Sequence, residues 1–247
     1  MNSEEDVFSF NFWPSFADLM LAIVLILIIV IFVIYSVLSA GTVNLRHVEK
    51  RQDTLIEELA ASYGVKAKDV TTLMAKTNGK SEQDSKTKIF AITIDRDTIP
   101  DVLIRNEPTL QRFSFGSHIL FAKNGTELTN AGQQVLRALG ASLNKQLPLI
   151  REIQIQGHAD PDTTRSFRSN LDLAALRAIE VFRFFQHVIG IDPAQHLMSA
   201  TSFGEFKPVQ RSDEGNDYDS GKLRQHNDTE TLKTQNRRIE LLLFYKF

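Results

Sequence analysis

Two sets of side chains in this 247-residue sequence are placed to do chemistry, and the first is a single carboxylate. Asp18 directly precedes Leu19–Leu38, twenty residues without a charge (LMLAIVLILIIVIFVIYSVL). At about 1.5 Å per residue such a run covers the roughly 30 Å hydrocarbon core of a bilayer. Pro14 is compatible with a first helical turn, where its missing N–H has no partner to lose, so a helix starting at Pro14 includes Asp18. With Phe12 and Trp13 as an interfacial aromatic belt, Asp18 lies about 7 Å inside that level, five residues of helical rise. Two readings are open. The carboxylate is tolerated near the interface, helped by snorkelling and the helix N-terminal dipole, or it carries protons or other ions, the role that intramembrane acids commonly have.

The second set is spread along the C-terminal half. Gly157-His158-Ala159-Asp160 is followed by Asn170-x-x-Leu173-x-x-x-Arg177-Ala178, and later by Asn236-Arg237-Arg238-Ile239-Glu240. Asn170 and Arg177 are seven residues apart, so two helical turns return them to nearly the same face. Taken singly, each has a plainer reading: Asp160 as a loop residue before Pro161, Arg177 as a solvated helix residue, and the Asn236 cluster as a turn entering a strand.

The elements that must hold these residues follow from hydrophobic pattern. A stub (1–13) precedes a transmembrane helix (14–40), which is too long, and too acidic at its start, for a cleaved signal peptide. In the neck (41–65), Leu45, Val48, Gln52, Leu55 and Leu59 recur at alternating spacings of three and four. That stripe suits a short coiled coil with one polar position, and equally an amphipathic helix packed on its own domain. Residues 66–86 are polar with little periodicity and read as a linker, which places the domain boundary near residue 86. From 87 to 247 strand-like and helical segments alternate in an α+β pattern (β/α/β/α/β): strands at Phe90–Ile94, Ile119–Phe121, Leu149–Gln156 and Ile239–Phe244, and helices at Thr129–Leu143 and Asn170–Phe185. The first helix carries Val135, Leu136, Leu139 and Leu143 in register, the second Leu173, Leu176, Ile179 and Phe182.

Composition removes whole classes of function. Twenty-eight basic against 30 acidic residues leave a formal net charge of −2, with no field to gather nucleic acid. The absence of cysteine excludes disulfides, thiolate metal sites and a cysteine nucleophile. His158-x-Asp160 lacks the converging ligands a metal needs, and no cofactor motif is present. Gly215 to Lys222 misses the phosphate-loop pattern, with five residues between its glycines, Leu223 at the hydroxyl position, and Asp217 and Asp219 to repel phosphate. No G-x-S-x-G occurs, so no enzymatic activity is expected. Gln210 to Glu230, with six acids against three bases, reads as an exposed insertion.

Trp13-x-x-Phe16-Ala17-Asp18-Leu19-Met20 resembles the W-x-x-[YF]-A-D-[LF]-M signature of the MotB-type stator subunits, which include the B subunit of the Zorya anti-phage defence system. The resemblance implies that Asp18 is the proton relay of an ion-driven rotary motor. It also implies a homodimer whose two helices stand inside a ring of five copies of a multi-span MotA-like (ZorA-like) subunit. The three C-terminal motifs resemble the OmpA-like peptidoglycan-binding domain, with its G-H-T-D, N-x-x-L-S-x-x-R-A and terminal N-R-R-[VI]-E, over about residues 110–247. Its ligand is the free end of a diaminopimelate side chain, which carries an ammonium and a carboxylate. A carboxylate can hold the first, and a guanidinium can take the second in a bidentate fork. The resemblance assigns these roles to Asp160 and Arg177, has Asn170 cap the helix and order the site, and has Asn236 and Arg237 support the rim. Ala159 and Ala174 depart from the usual threonine and serine, and the loop Pro161–Ser169 is about two residues longer than common and lacks its customary glycine.

The resemblance places the chain in a bacterial inner membrane as a single-pass protein, N-terminus cytoplasmic and C-terminal domain periplasmic, because wall is met only outside. Arg46, Lys50 and Arg51 after the span argue for the opposite orientation by the positive-inside rule. Phe-Ala-Asp-Leu-Met and the short acidic stub favour the Zorya-type defence subunit. A flagellar MotB-type torque subunit and a passive wall tether are the alternatives.

Overall fold

The computed structural model describes residues 13–62, 68–69, 87–92, 102–162, 166–211 and 218–246. The chain forms two compact units, Met1–Arg46 and His47–Phe247. The division therefore falls well before the boundary expected near residue 86. The stub, apart from Trp13, lies outside the described residues, as does the linker (66–86) except for Lys68–Asp69.

Helix α1 (Trp13–Ser62) begins one residue before Pro14, and its residues up to Arg46 belong to the first unit, the rest to the second. Trp13–Ser39 is long and apolar enough to cross a membrane and is not buried by the chain itself. The Trp13 and Phe16 rings meet edge to face, 6.1 Å between centroids, the geometry favoured by the aromatic quadrupole. Asp18 is exposed on this helix.

The second unit is built on a seven-stranded sheet. Its strands are β1 (Lys68–Asp69), β2 (Lys88–Ile92), β3 (Val102–Asn106), β4 (Leu110–Gly116), β5 (Ile150–His158), β6 (Leu197–Gly204) and β7 (Arg238–Tyr245). Their order is β1-β2-β3-β4-β7-β5-β6, and β5–β6 is the parallel pair. Between them lie α2 (Ser117–Leu120), α3 (Asn130–Asn144), α4 (Asn170–Phe184), α5 (Ser220–Gln225) and α6 (Glu230–Asn236). Strand alternation sorts the sheet into two unlike faces. On one, Phe113, Phe115, Ile153, Ile155, Ile239, Leu241 and Leu243 join the hydrophobic core. On the other, the register brings together Arg112, Ser114, Gln156, His158, Arg238 and Glu240.

The helices close over the apolar face. Thr129 caps α3, its hydroxyl accepting from Gly132 N at 3.0 Å, and the expected Val135, Leu136, Leu139 and Leu143 are buried. Helix α4 departs from expectation. Its buried face is Leu173, Ala174, Arg177, Ala178, Val181 and Phe184, while Leu176 and Ile179 are exposed. The small alanines decide this: a Cβ on Gly157 would stand 2.1 Å from the Ala174 carbonyl oxygen, so α4 lies directly on β5 and only glycine fits beneath it.

The stripe read as a coiled-coil seam is buried in this same unit. Val48, Gln52, Leu55 and Leu59 are all sealed within the chain's own domain, which corrects the coiled-coil reading in favour of the amphipathic one; the Leu45 side chain lies outside the described residues. Gln52 explains the polar position. Its Nε2 donates to the Glu107 carbonyl at 2.9 Å and its own carbonyl accepts from Gln111 Nε2 at 3.0 Å, while Gln146 Nε2 donates to the Arg51 carbonyl at 3.2 Å. A buried polar group so satisfied docks the helix without the desolvation penalty of an unpaired one. Ile119–Leu120 ends a single helical turn rather than forming a strand, leaving Phe121 a lone bridge to Leu128.

Candidate functional site

A cavity of about 890 Å³ opens where β5, α2, α4 and α6 converge, and Asp160, Asn170, Arg177 and Arg237 all line it. Asp160 follows the end of β5, where the pairing with β6 persists through Ala159 N donating to the Gly204 carbonyl at 2.8 Å. Arg177 reaches the cavity from the buried face of α4. Arg237 stands between α6 and β7, and its carbonyl accepts from Ser117 N at 2.8 Å, tying α2 to the same corner.

Arg177 is held on two sides. Nε donates to the Gly125 carbonyl at 2.8 Å and Nη1 to Ser117 Oγ at 2.8 Å, and the guanidinium carbon lies 5.2 Å from the Phe121 ring centroid, a cation–π contact. Nη2 has no partner among the described residues. Burial, then the Arg237 charge, lowers the Arg177 pKa to about 10, against the pull of Asp160. An anion at Nη2 would relieve that penalty.

Asp160 is nearly buried, and its Oδ2 accepts from Arg237 Nη1 while its Oδ1 accepts from Asp162 N at 3.3 Å. Arg237 Nη2 donates to Glu230 Oε1 at 2.7 Å and Thr234 Oγ1 at 2.8 Å. Lys233 Nζ pairs with Asp162 Oδ1 at 2.6 Å, joining α6 to the loop after β5. The cavity thus carries acids and bases side by side, the charge pattern a zwitterion requires.

Two assigned roles are corrected by position. Ser169, not Asn170, caps α4: its hydroxyl accepts from Asp172 N at 3.1 Å, and Asn170 is the first helical residue, at the cavity wall. Asn236 is 1% exposed and does not line the cavity. Its Oδ1 accepts from Val209 N at 2.8 Å, and its Nδ2 donates to the His226 carbonyl at 2.9 Å and Asn227 Oδ1 at 2.7 Å. It fastens the segments at 209 and 226 rather than the rim. Of the stretch 210–230, residues 212–217 lie outside the described residues, as do 163–165 of the loop before α4.

Behind the cavity, on the polar face of the sheet, Glu240 Oε1 accepts from Arg238 Nε at 2.7 Å and Oε2 from Arg112 Nη1 at 2.8 Å. Burial would raise the Glu240 pKa, but Arg238 and Arg112 overcome it and hold it well below the usual carboxylate range. His158 Nε2 lies 3.7 Å from Glu240 Oε2, and its ring stacks on Phe203 at 5.3 Å. Burial first, then Arg238, brings the His158 pKa down to about 3, so the ring is neutral near pH 7.

Ser117, Gly125, Phe121, Asp162, Glu230 and Lys233 were absent from the sequence expectations. They come from three stretches far apart in the chain, Ser117–Gly125, Asp162 and Glu230–Lys233, that meet only in the fold. The one local signal is Asn124-Gly125, a turn dipeptide in which Asn124 takes a left-handed φ of 57°. Among the described residues no cluster of three potential metal ligands occurs.

Residues 120–220 match the OmpA family. Among solved structures, the periplasmic domain of MotB is 20% identical with a TM-score of 0.51, over 72% of this chain and 85% of that one. A MotB-like protein from Desulfovibrio vulgaris is 22% identical with a TM-score of 0.48, over 79% and 99%. The cell wall anchor of the type VI secretion system (T6SS) from Pseudomonas aeruginosa is 20% identical with a TM-score of 0.46, over 59% and 89%. No curated protein matches the sequence. A mixed sheet with helices on its apolar face, a converging cavity at the end of β5 and the family match over 120–220 together make the C-terminal domain OmpA-like.

Proposed function

We propose that this chain is the wall-anchored subunit of a proton-driven stator unit in a bacterial inner membrane, with its OmpA-like domain holding peptidoglycan. The observation that carries the reading is the buried Arg177, fixed through Nε and Nη1 and with Nη2 unclaimed, in one cavity with Asp160. A diaminopimelate side chain satisfies both: its carboxylate meets Arg177 and its ammonium meets Asp160, which Arg237 only partly neutralises. The wall lies outside the inner membrane, so the domain is periplasmic and the N-terminus cytoplasmic.

Asp18 supplies the motor half of the reading. A carboxyl group can take up and release a proton, and on a lone apolar helix it needs surrounding protein or a water-filled cavity to do so. A multi-span MotA-like subunit, five copies around two of this chain, is the partner that meets this need, and the chain acts as a homodimer. Phe16-Ala17-Asp18-Leu19-Met20 supports the Zorya-type defence role over flagellar torque.

Three measurements test this. Full-length protein in detergent sediments with purified peptidoglycan, and Arg177→Ala or Asp160→Ala abolishes it; retained binding in both variants retires the anchor. Reporter fusions after residue 80 read as periplasmic. Asp18→Asn abolishes proton-dependent activity while a multi-span partner still copurifies; full activity in that variant leaves only a passive tether.

A further inference from the structure

Arg177 and Arg237 face the same cavity but differ in what they leave open. No described residue accepts from Arg177 Nη2, whereas both ends of Arg237 are occupied: Nη1 by Asp160, and Nη2 by Glu230 at 2.7 Å and Thr234 at 2.8 Å. Glu230 lines the cavity, its side chain is 72% exposed, and it is the first residue of α6. It is a carboxylate belonging to this chain, standing on a guanidinium edge that would otherwise receive a carboxylate from a ligand. The neighbouring acid is committed elsewhere, since Asp162 is held by Lys233 at 2.6 Å.

We infer that Glu230 is an internal competitor for the ligand carboxylate: it covers the Nη2 edge of Arg237, the second guanidinium of the cavity that the carboxylate held by Arg177 would also reach, and so sets the affinity and selectivity of the cavity. This rests on the reading of the cavity as a peptidoglycan site. An exposed ion pair contributes little to stability, so a ligand able to offer Arg237 a carboxylate displaces Glu230 at small cost. A ligand lacking that carboxylate leaves the pair intact and gains nothing from Arg237. Glu230 also repels an incoming anion, a selective element that acts against partial matches. The start of α6 does not depend on it, because Thr229 caps the helix by accepting from Leu232 N at 3.2 Å.

The test is binding of a soluble disaccharide–tripeptide wall fragment ending in diaminopimelate, and of the same fragment with the side-chain carboxylate amidated, to the full chain in detergent. Glu230→Gln is expected to bind the free-carboxylate fragment about two- to fivefold more tightly than wild type, the range of one exposed ion pair, and the amidated fragment with unchanged affinity. Unchanged or weaker binding of the free-carboxylate fragment, or equal tightening of both fragments, overturns the inference while leaving the wall-binding reading in place. Failure of wild type and Glu230→Gln alike to bind either fragment overturns both.

Discussion

Consecutive arginines serve two unlike ionic clusters. Arg237, with a third of its side chain exposed, pairs with Asp160 and Glu230 at the cavity, while Arg238, 7% exposed, pairs with Glu240 on the covered polar face of the sheet. The first cluster is wet and its partners are exchangeable. The second is dry: Arg112 and Arg238 occupy both oxygens of one carboxylate, and His158 and Phe203 pack beside it. The difference separates binding from scaffolding. A charge that must meet a ligand keeps an edge turned to the cavity, whereas a charge that fixes strand register is sealed between its counter-ions. The two are coupled through the sheet, since β5 and β7 carry the sealed cluster and Asp160 and Arg237 stand just beyond their ends.

The largest expected effect comes from breaking the sealed cluster. Glu240→Ala leaves the buried Arg238 and the half-buried Arg112 without their anion, and unpaired buried charge costs about 3–5 kcal/mol. Denaturant unfolding followed by hydrogen exchange at β7 amides is expected to show that loss. A change below about 1 kcal/mol, the level of an exposed pair, would erase the distinction between the clusters.

Acid sharpens the same contrast. The folded domain holds His158 at about 3, below the ordinary value near 6.5, so between those limits the unfolded chain binds the extra proton. Stability is therefore fully present above pH 6.5 and is lost as pH falls toward 3, at no more than about 1.4 kcal/mol per pH unit for one proton. Glu240, held low, adds loss in the same direction below the usual carboxylate range. His158→Phe is expected to flatten the slope of stability against pH between 6.5 and 4.5. An unchanged slope would assign the acid sensitivity to other groups.

How much of this was legible in the sequence depended on whether a residue's partner lay nearby in the chain. Asp160 and Arg177 stand in motifs of fixed spacing, and both line one cavity. The α3 stripe was readable because four leucine and valine positions repeat at helical period. The α4 stripe was misread because Ala174 and Ala178, not Leu176 and Ile179, face the sheet, a choice made by Gly157 on another strand. Strands β3 and β6 carry weak signals: β3 is only five residues and ends in Arg105 and Asn106, and β6 is an edge rich in serine and threonine. Gln52 looked like a polar flaw in a coiled coil until Glu107 and Gln111 appeared as its partners.

Ser117 tests whether the wet cluster depends on positioning. Ser117→Ala removes the acceptor for Arg177 Nη1, and a lost hydrogen bond to a charged group costs about 1.5–3 kcal/mol. Part of that is expected as reduced stability and part as weaker binding of the diaminopimelate fragment, with Ser117→Thr restoring binding. Stability loss with full-strength binding would show that Gly125 and Phe121 hold Arg177 unaided.

The smallest effect belongs to the pair that closes the rim. Lys233 and Asp162 meet at 2.6 Å, but more than half of the Asp162 side chain is exposed, and such pairs are screened by water and salt. Asp162→Asn is expected to leave the denaturant midpoint unmoved, since no buried charge is stranded. Its consequence lies in the cavity instead. Lys233, released from Asp162, has Glu230 as the next acid within its electrostatic reach, and drawing Glu230 away from Arg237 would open the Nη2 edge as Glu230→Gln does. A modest gain in affinity for the free-carboxylate fragment, absent for the amidated one and absent when combined with Glu230→Gln, is the expected pattern; additive gains in the double variant would show that the two pairs act independently.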